Sequence, residues 1–214
     1  MSNFEYILAS LPYLTADYHY EEGQKMDSVL REIRENLSEK DAAVLDFLLE
    51  GYRDDALNAD FYARALSHPQ RFIREYFRFD LNLRNAKVAF LNRELGREAS
   101  QDLITGLGGE EDEGLDIDLY RFRGGEFEEA LAVQNALALD SLLAREKALD
   151  DVCWQKVDAL STFHYFDLTA VLAYVAKLHI VDRWLRLDPE KGRVLFQKLV
   201  DEVRGTFKGV NYQA

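Results

Sequence analysis

The sequence predicts an all-α protein, a multi-helical bundle, on three observations. Apolar residues recur at three- and four-residue spacing through most of its 214 positions. Only three prolines and twelve glycines interrupt the chain. Helix-capping residues stand where apolar runs begin, as at Ser38, Asn58 and Asp167. Hydrophobic residues make up 48% and charged residues 30%, the balance of a globular chain able to bury a core.

Phe4, Ile7, Leu8 and Leu11 follow the i, i+3, i+4, i+7 pattern, and Pro12 ends that run. A short strand through Tyr6–Ser10 is the alternative. Residues 15–24 read as a polar, aromatic loop, followed by a helix over about 25–37. Ser38 opens the next helix through "SEKD", a capping-box variant with Asp41 in place of Glu, and Gly51 is a natural stop. Asn58 and Asp60 open a short helix. Pro69 suits the first turn of the one after it. That helix carries Phe72, Ile73, Tyr76 and Phe77 on one face, with Arg71, Arg74 and Arg78 as a basic stripe. Asp80 either breaks it or caps a following helix that ends at Gly96. Ser100 starts a further short turn of helix.

The stretch "GLGGEEDEGLDID" begins at Gly106, and residues 107–125 read as an acidic, Gly-rich linker. They separate an N-terminal helical part, 1–106, from a C-terminal part, 126–214, and the two can pack as one domain. One very long helix is expected over about 126–161, with Leu131, Leu142, Leu149, Val152 and Leu160 recurring along it. Asp167 caps a helix through Leu187. Asp188 and Pro189 open a last one, to about Val203. Phe79-Asp80-Leu81 and Phe166-Asp167-Leu168 echo each other, which suggests two related helical repeats.

Residues that carry chemistry are scarce. The net charge of −13 opposes free association with nucleic acid or anionic lipid. The one cysteine, Cys153, lies beside Asp150 and Asp151, which disfavour a thiolate. Four histidines, His19, His68, His164 and His179, lack metal-site spacing and read as structural. The sequence has no phosphate-binding glycine loop, no nucleophile elbow and no E-x-x-H pair. No cofactor or metal is expected. No apolar run approaches the roughly 20 residues that span a bilayer, and the N-terminus lacks the basic start of a signal peptide. Eight cations, Arg64, Arg71, Arg74, Arg78, Arg84, Lys87, Arg93 and Arg97, crowd one third of the chain. They either pair with nearby acids such as Glu75 and Glu94 or form a positive surface for an acidic protein partner or lipid headgroups.

The stretch "NAKVAFLNRELG" resembles the C-type subunit of archaeal and bacterial V/A-type ATPases, the homologue of the vacuolar d-type subunit. Asn85, Lys87, Arg93 and Gly96 match that pattern. "FEYILASLPYL" resembles the aromatic start of those proteins. It is still more similar to a short bacterial family encoded with V-type ATPase genes. "TFHYFDLTAVLAYVAKLHIVDRWLRLD" resembles the same family. There Lys177 matches a family lysine, and Asp182-Arg183 approximates the Asn-x-Arg that follows it. The C-type proteins have three helical repeats, and this chain has room for about two.

The resemblance implies a non-catalytic socket that couples the central stalk to the membrane rotor ring. It implies a cytoplasmic place on the inner face of the cell membrane, as part of the complex. Its partners would be the stalk subunits and the ring, with no nucleic acid and no membrane span of its own. Arg71, Arg74, Arg78, Asn85, Lys87, Arg93, Lys177 and Arg183 become the candidate interface. An assembly factor or regulator of the same ATPase, and a helical enzyme with an unrecognised site, are the alternatives. Asn82, Asn85 and Asn92 follow a stripe beside the apolar face. Either they bond across a repeat or interface, or Asn82 and Asn92 face water.

Overall fold

A computed structural model describes residues 2–15, 26–53, 55–107 and 127–187. The expected linker beyond Leu107, the loop over 16–24 and the helix after Asp188 lie outside these residues. The described residues are all-α, with no strand. Eight helices are described: α1 (Phe4–Ser10), α2 (Met26–Glu35), α3 (Glu39–Glu50), α4 (Ala59–Leu66), α5 (Arg71–Glu94), α6 (Ala130–Leu137), α7 (Leu142–Ser161) and α8 (Leu168–Arg186).

Cap chemistry sets most of the starts. Asn3, Asn58, Ser141 and Asp167 each accept from the backbone N–H three residues on. At α3 the Ser38 hydroxyl accepts from Asp41 N–H at 3.2 Å. The Asp41 carboxylate does not reach back to the Ser38 N–H as a Glu would in a capping box. The Ser2 hydroxyl takes that N–H at 2.7 Å and donates to Asp41 at 2.5 Å. One methylene shorter than Glu, Asp41 thus closes the box through Ser2 and ties the N-terminal residues to α3.

α8 sits at the centre, buried on nearly every side from Thr169 to Val181, with α1, α2, α3 and α7 against it. The larger core joins α1–α5 to the end of α7 and to α8, around stacked and edge-on aromatics such as Phe61 and Phe77, 4.9 Å apart. A second core gathers Phe79, Leu83 and Ala86 of α5 with Phe127, α6 and the first half of α7. Residues from both the 1–106 and the 126–214 parts contribute to each core.

Several expectations are corrected. Asp80 neither breaks nor caps a helix: α5 runs unbroken for 24 residues. The Asp80 carboxylate accepts the Tyr62 hydroxyl of α4 at 2.7 Å, so a tertiary partner satisfies it in mid-helix. The very long helix is two helices. Ser141 caps α7, and the Arg145 guanidinium donates to the Leu139 carbonyl at 2.9 Å, closing the intervening turn. Leu131 and Leu142, expected on one apolar stripe with Leu149, are exposed on either side of that break. Ser100 starts no helix; the segment is a turn with Asp102 at φ 63°. The two Phe-Asp-Leu blocks occupy different places, Asp80 inside a helix and Asp167 at an N-cap.

Two glycines stop helices for opposite reasons. Gly51 has ordinary right-handed backbone, φ −68°. A Cβ there would run into the Phe77 ring and lie 2.9 Å from Phe61, so close packing excludes a side chain. Gly96 has open space around it but sits at φ +66°. It follows the last turn of α5, with Gly96 N–H bonded to Arg93 O and Arg97 N–H to Asn92 O, the paired bonds of a Schellman motif.

Candidate functional site

The asparagine stripe on α5 is the first polar feature the fold explains. Asn85 is buried; its amide donates to Ile104 O at 2.8 Å and accepts from Ile104 N at 3.1 Å. Asn92 is buried too and donates to Gln101 O at 2.7 Å. Neither bonds across a repeat, and Asn92 does not face water: both fasten the segment after Gly96 back onto α5. Asn82 is half-buried. A backbone residue outside a helix has both a donor and an acceptor to satisfy, and an amide supplies both. Of the residues that match the C-type pattern, Asn85 and Gly96 thus serve the helix stop and the chain that returns from it.

Three of the candidate cations, Lys87, Lys177 and Arg183, brace α7. Lys87 of α5 and Arg183 of α8 both reach Glu146, at 3.5 and 3.3 Å. Arg183 also pairs with the buried Asp150 carboxylate, which accepts the Trp184 indole N–H at 2.6 Å. Burial pushes the Asp150 carboxyl up, and Arg183 opposes that rise. Lys177 pairs with Asp158 and lies over the Trp154 ring, 4.9 Å from its centre. The acids of α7 thus hold cations from the helices on both sides.

The buried polar groups around α5 are spent on packing. The Tyr52 and Tyr76 hydroxyls bond each other at 2.8 Å. His179 of α8 stacks on Tyr52 with ring centres 3.8 Å apart. Its Nε2 is buried without a hydrogen-bond partner among the described residues. Burial, and secondarily the charge of Arg186, hold its pKa down to about 4, so the ring is neutral. Burial pushes the Cys153 thiol well up, with Asp150 and Asp80 adding to the rise, so it stays protonated. No group of three or more His, Cys, Asp or Glu residues suited to a metal ion occurs among the described residues.

The first turn of α5 differs. It carries no acid, and Arg71 is exposed, forming no ion pair among the described residues. Arg74 turns onto the carbonyls of His68 and Pro69, at 2.7 and 2.9 Å. Arg78 lies 3.7 Å from Glu75. Arg93 is exposed at the far end of the same helix. Beside Arg71 stands the α7–α8 turn, Thr162–Asp167. Its Phe163, Tyr165 and Phe166 are 85%, 68% and 62% exposed, against a turn that needs no aromatic ring to form. Clefts of about 360 Å³ flank His164 on its two sides. One lies between that turn and the start of α5; the other lies against residues 11–14, where Tyr13 is 84% exposed. Sequence reasoning left this turn out of the candidate interface. The signal was present in "TFHYFD", three aromatics between two helices, where polar residues are the rule.

Residues 50–206 match the family described as protein of unknown function (DUF2764). The chain belongs to this family. No curated protein and no solved structure matches it. The DUF2764 match takes in α4 to α8 and so includes the α5 cations, the braces on α7 and the aromatic turn. In this DUF2764 chain no described helix is long and apolar enough to cross a membrane.

Proposed function

We propose that this chain is a non-catalytic adaptor of a V/A-type ATPase, joining the central stalk to the membrane rotor ring. The reading begins in the resemblance to the C-type stalk proteins. The observation that carries it is the cross-bracing of α5, α7 and α8 through Glu146, Asp150 and Asp158. A part that passes torque must keep its helices in one register, and charge pairs placed along two interfaces favour one register of α7 against α5 and α8. The exposed aromatics and Arg71, which forms no ion pair among the described residues, supply a place for a protein neighbour at one end of the bundle. In this reading the chain carries no chemistry of its own and works at the cytoplasmic face of the ring.

The test is purification of the intact ATPase from cells that make this chain, followed by quantitative mass spectrometry and cross-linking. The expected result is a fixed, stoichiometric share of the chain, cross-linked to stalk and ring subunits. Absence from the active enzyme, or cross-links to the stator alone, would remove the proposal. So would presence in immature complexes only.

A further inference from the structure

We propose that the cleft between the α7–α8 turn and the start of α5 docks an acidic segment of a partner protein that brings an apolar anchor. The partner's identity as a component of the stalk rests on the adaptor reading above; the chemistry rests on the surface. Phe72 and Leu160 line the cleft, Phe163 stands beside them almost wholly in water, and Arg71 borders it. Aromatic rings exposed at this density, next to a concave apolar wall, are the composition of interface centres rather than of solvent-facing turns.

Charge selects the occupant. The chain as a whole is strongly acidic, at −13, yet this spot holds Arg71 and Arg74 with no acid in the first turn of α5. The N-terminal end of a 24-residue helix adds positive potential to the same place. The nearest carboxylate in the turn, Asp167, is already committed: it takes His164 Nδ1 at 2.5 Å and the Ala170 N–H at 3.1 Å. Glu75, one turn further along α5, lies 3.7 Å from Arg78. Arg71 therefore faces solvent with no ion pair among the described residues, in a position where a partner's carboxylate would meet it as its apolar side chain entered the cleft. The overall negative charge argues against nucleic acid or an anionic membrane in that role.

The experiment is calorimetric titration of the full chain with purified central-stalk subunits and, separately, with purified ring. Wild type is compared with Arg71→Glu, Phe163→Ser and a control, Leu142→Ser, about 30 Å away at the other end of α7. Circular dichroism confirms that each variant is folded. The proposal expects stalk binding weakened about tenfold or more by Arg71→Glu and by Phe163→Ser, with Leu142→Ser unchanged. Arg71→Lys, which keeps the charge, retains most of the affinity. Stalk binding equal in all variants would overturn this site and leave the adaptor reading standing. No wild-type binding to stalk or ring would overturn that reading and this one together. Self-association abolished by Phe163→Ser would assign the surface to a second copy and overturn the proposal. Strong amide protection over 162–166 in the free chain, unaltered by the stalk, would mean that the chain's own residues cover the turn, and would overturn it too.

Discussion

Asn85 is the residue whose chemistry is most sharply specified. Its side chain must donate to one backbone group and accept from another on the same residue, Ile104. Asn85→Asp keeps the acceptor but sets a carboxylate against the Ile104 carbonyl, and Asn85→Leu leaves both groups unpaired. Each is expected to cost about 2–3 kcal/mol in urea unfolding, with Asp no better than Leu. If Asp were nearly neutral, the amide would not be clamping this loop. His179 supplies the pH dependence. Its pKa falls from an ordinary 6.5 to about 4 on folding, so the unfolded chain binds more protons between those values. Its contribution is complete above pH 6.5 and is lost as pH falls towards 4, by roughly 3 kcal/mol. Asp80 and Asp150, whose carboxyls burial raises, slope the other way above their ordinary range. The comparison with His179→Phe isolates the histidine: the variant keeps the stack on Tyr52 and gains relative to wild type as pH drops from 6.5 to 4. A stability difference independent of pH would contradict the neutral, unpartnered ring.

At the scale of elements, the two helix-stopping glycines make opposite demands. Gly51→Ala forces a methyl group against Phe77 and Phe61 and is expected to cost about 1–3 kcal/mol through overpacking. Trimming Phe77 to Leu in the same chain recovers part of that loss. Gly96→Ala meets no neighbour and costs about 1 kcal/mol through its left-handed backbone. No second substitution nearby relieves it. Thermal melts of the three variants separate the mechanisms. The sequence alone located both helix stops but not their causes, because φ and a ring from another helix are not local properties. Cap residues were legible for the converse reason: Ser38, Asn58 and Asp167 bond to N–H groups three positions away. Asp80 looked like another cap and was misleading, since Tyr62, eighteen residues earlier, is what satisfies it. The break between α6 and α7 passed unseen because Ala136, Leu137, Ala138 and Leu139 continue a helical composition into the turn.

For the molecule as a whole, the candidate interface divides in two. Asn85, Lys87, Lys177 and Arg183 are engaged inside the chain. Spacing reveals a cation but not the helix that will lie opposite it, which is why α7 was not foreseen as their partner. Arg71, with the aromatic turn beside it, remains open to solvent. Removing a brace and removing the open cation should therefore have different effects. Arg183→Ala leaves Asp150 with Trp184 alone and is expected to cost about 1–2 kcal/mol of stability. Arg71→Ala should change the melting temperature by less than a degree or two, as a surface residue without a partner does. Equal losses from both would mean that Arg71 has a structural contact after all. The central claim is that the braced bundle turns with the stalk. Single-molecule energy transfer between a dye on this chain and one on the shaft, in ATP-hydrolysing enzyme, tests it directly. The account predicts constant transfer to the shaft and cyclic transfer to a stator dye. Constant transfer to the stator, with cycling against the shaft, would contradict it.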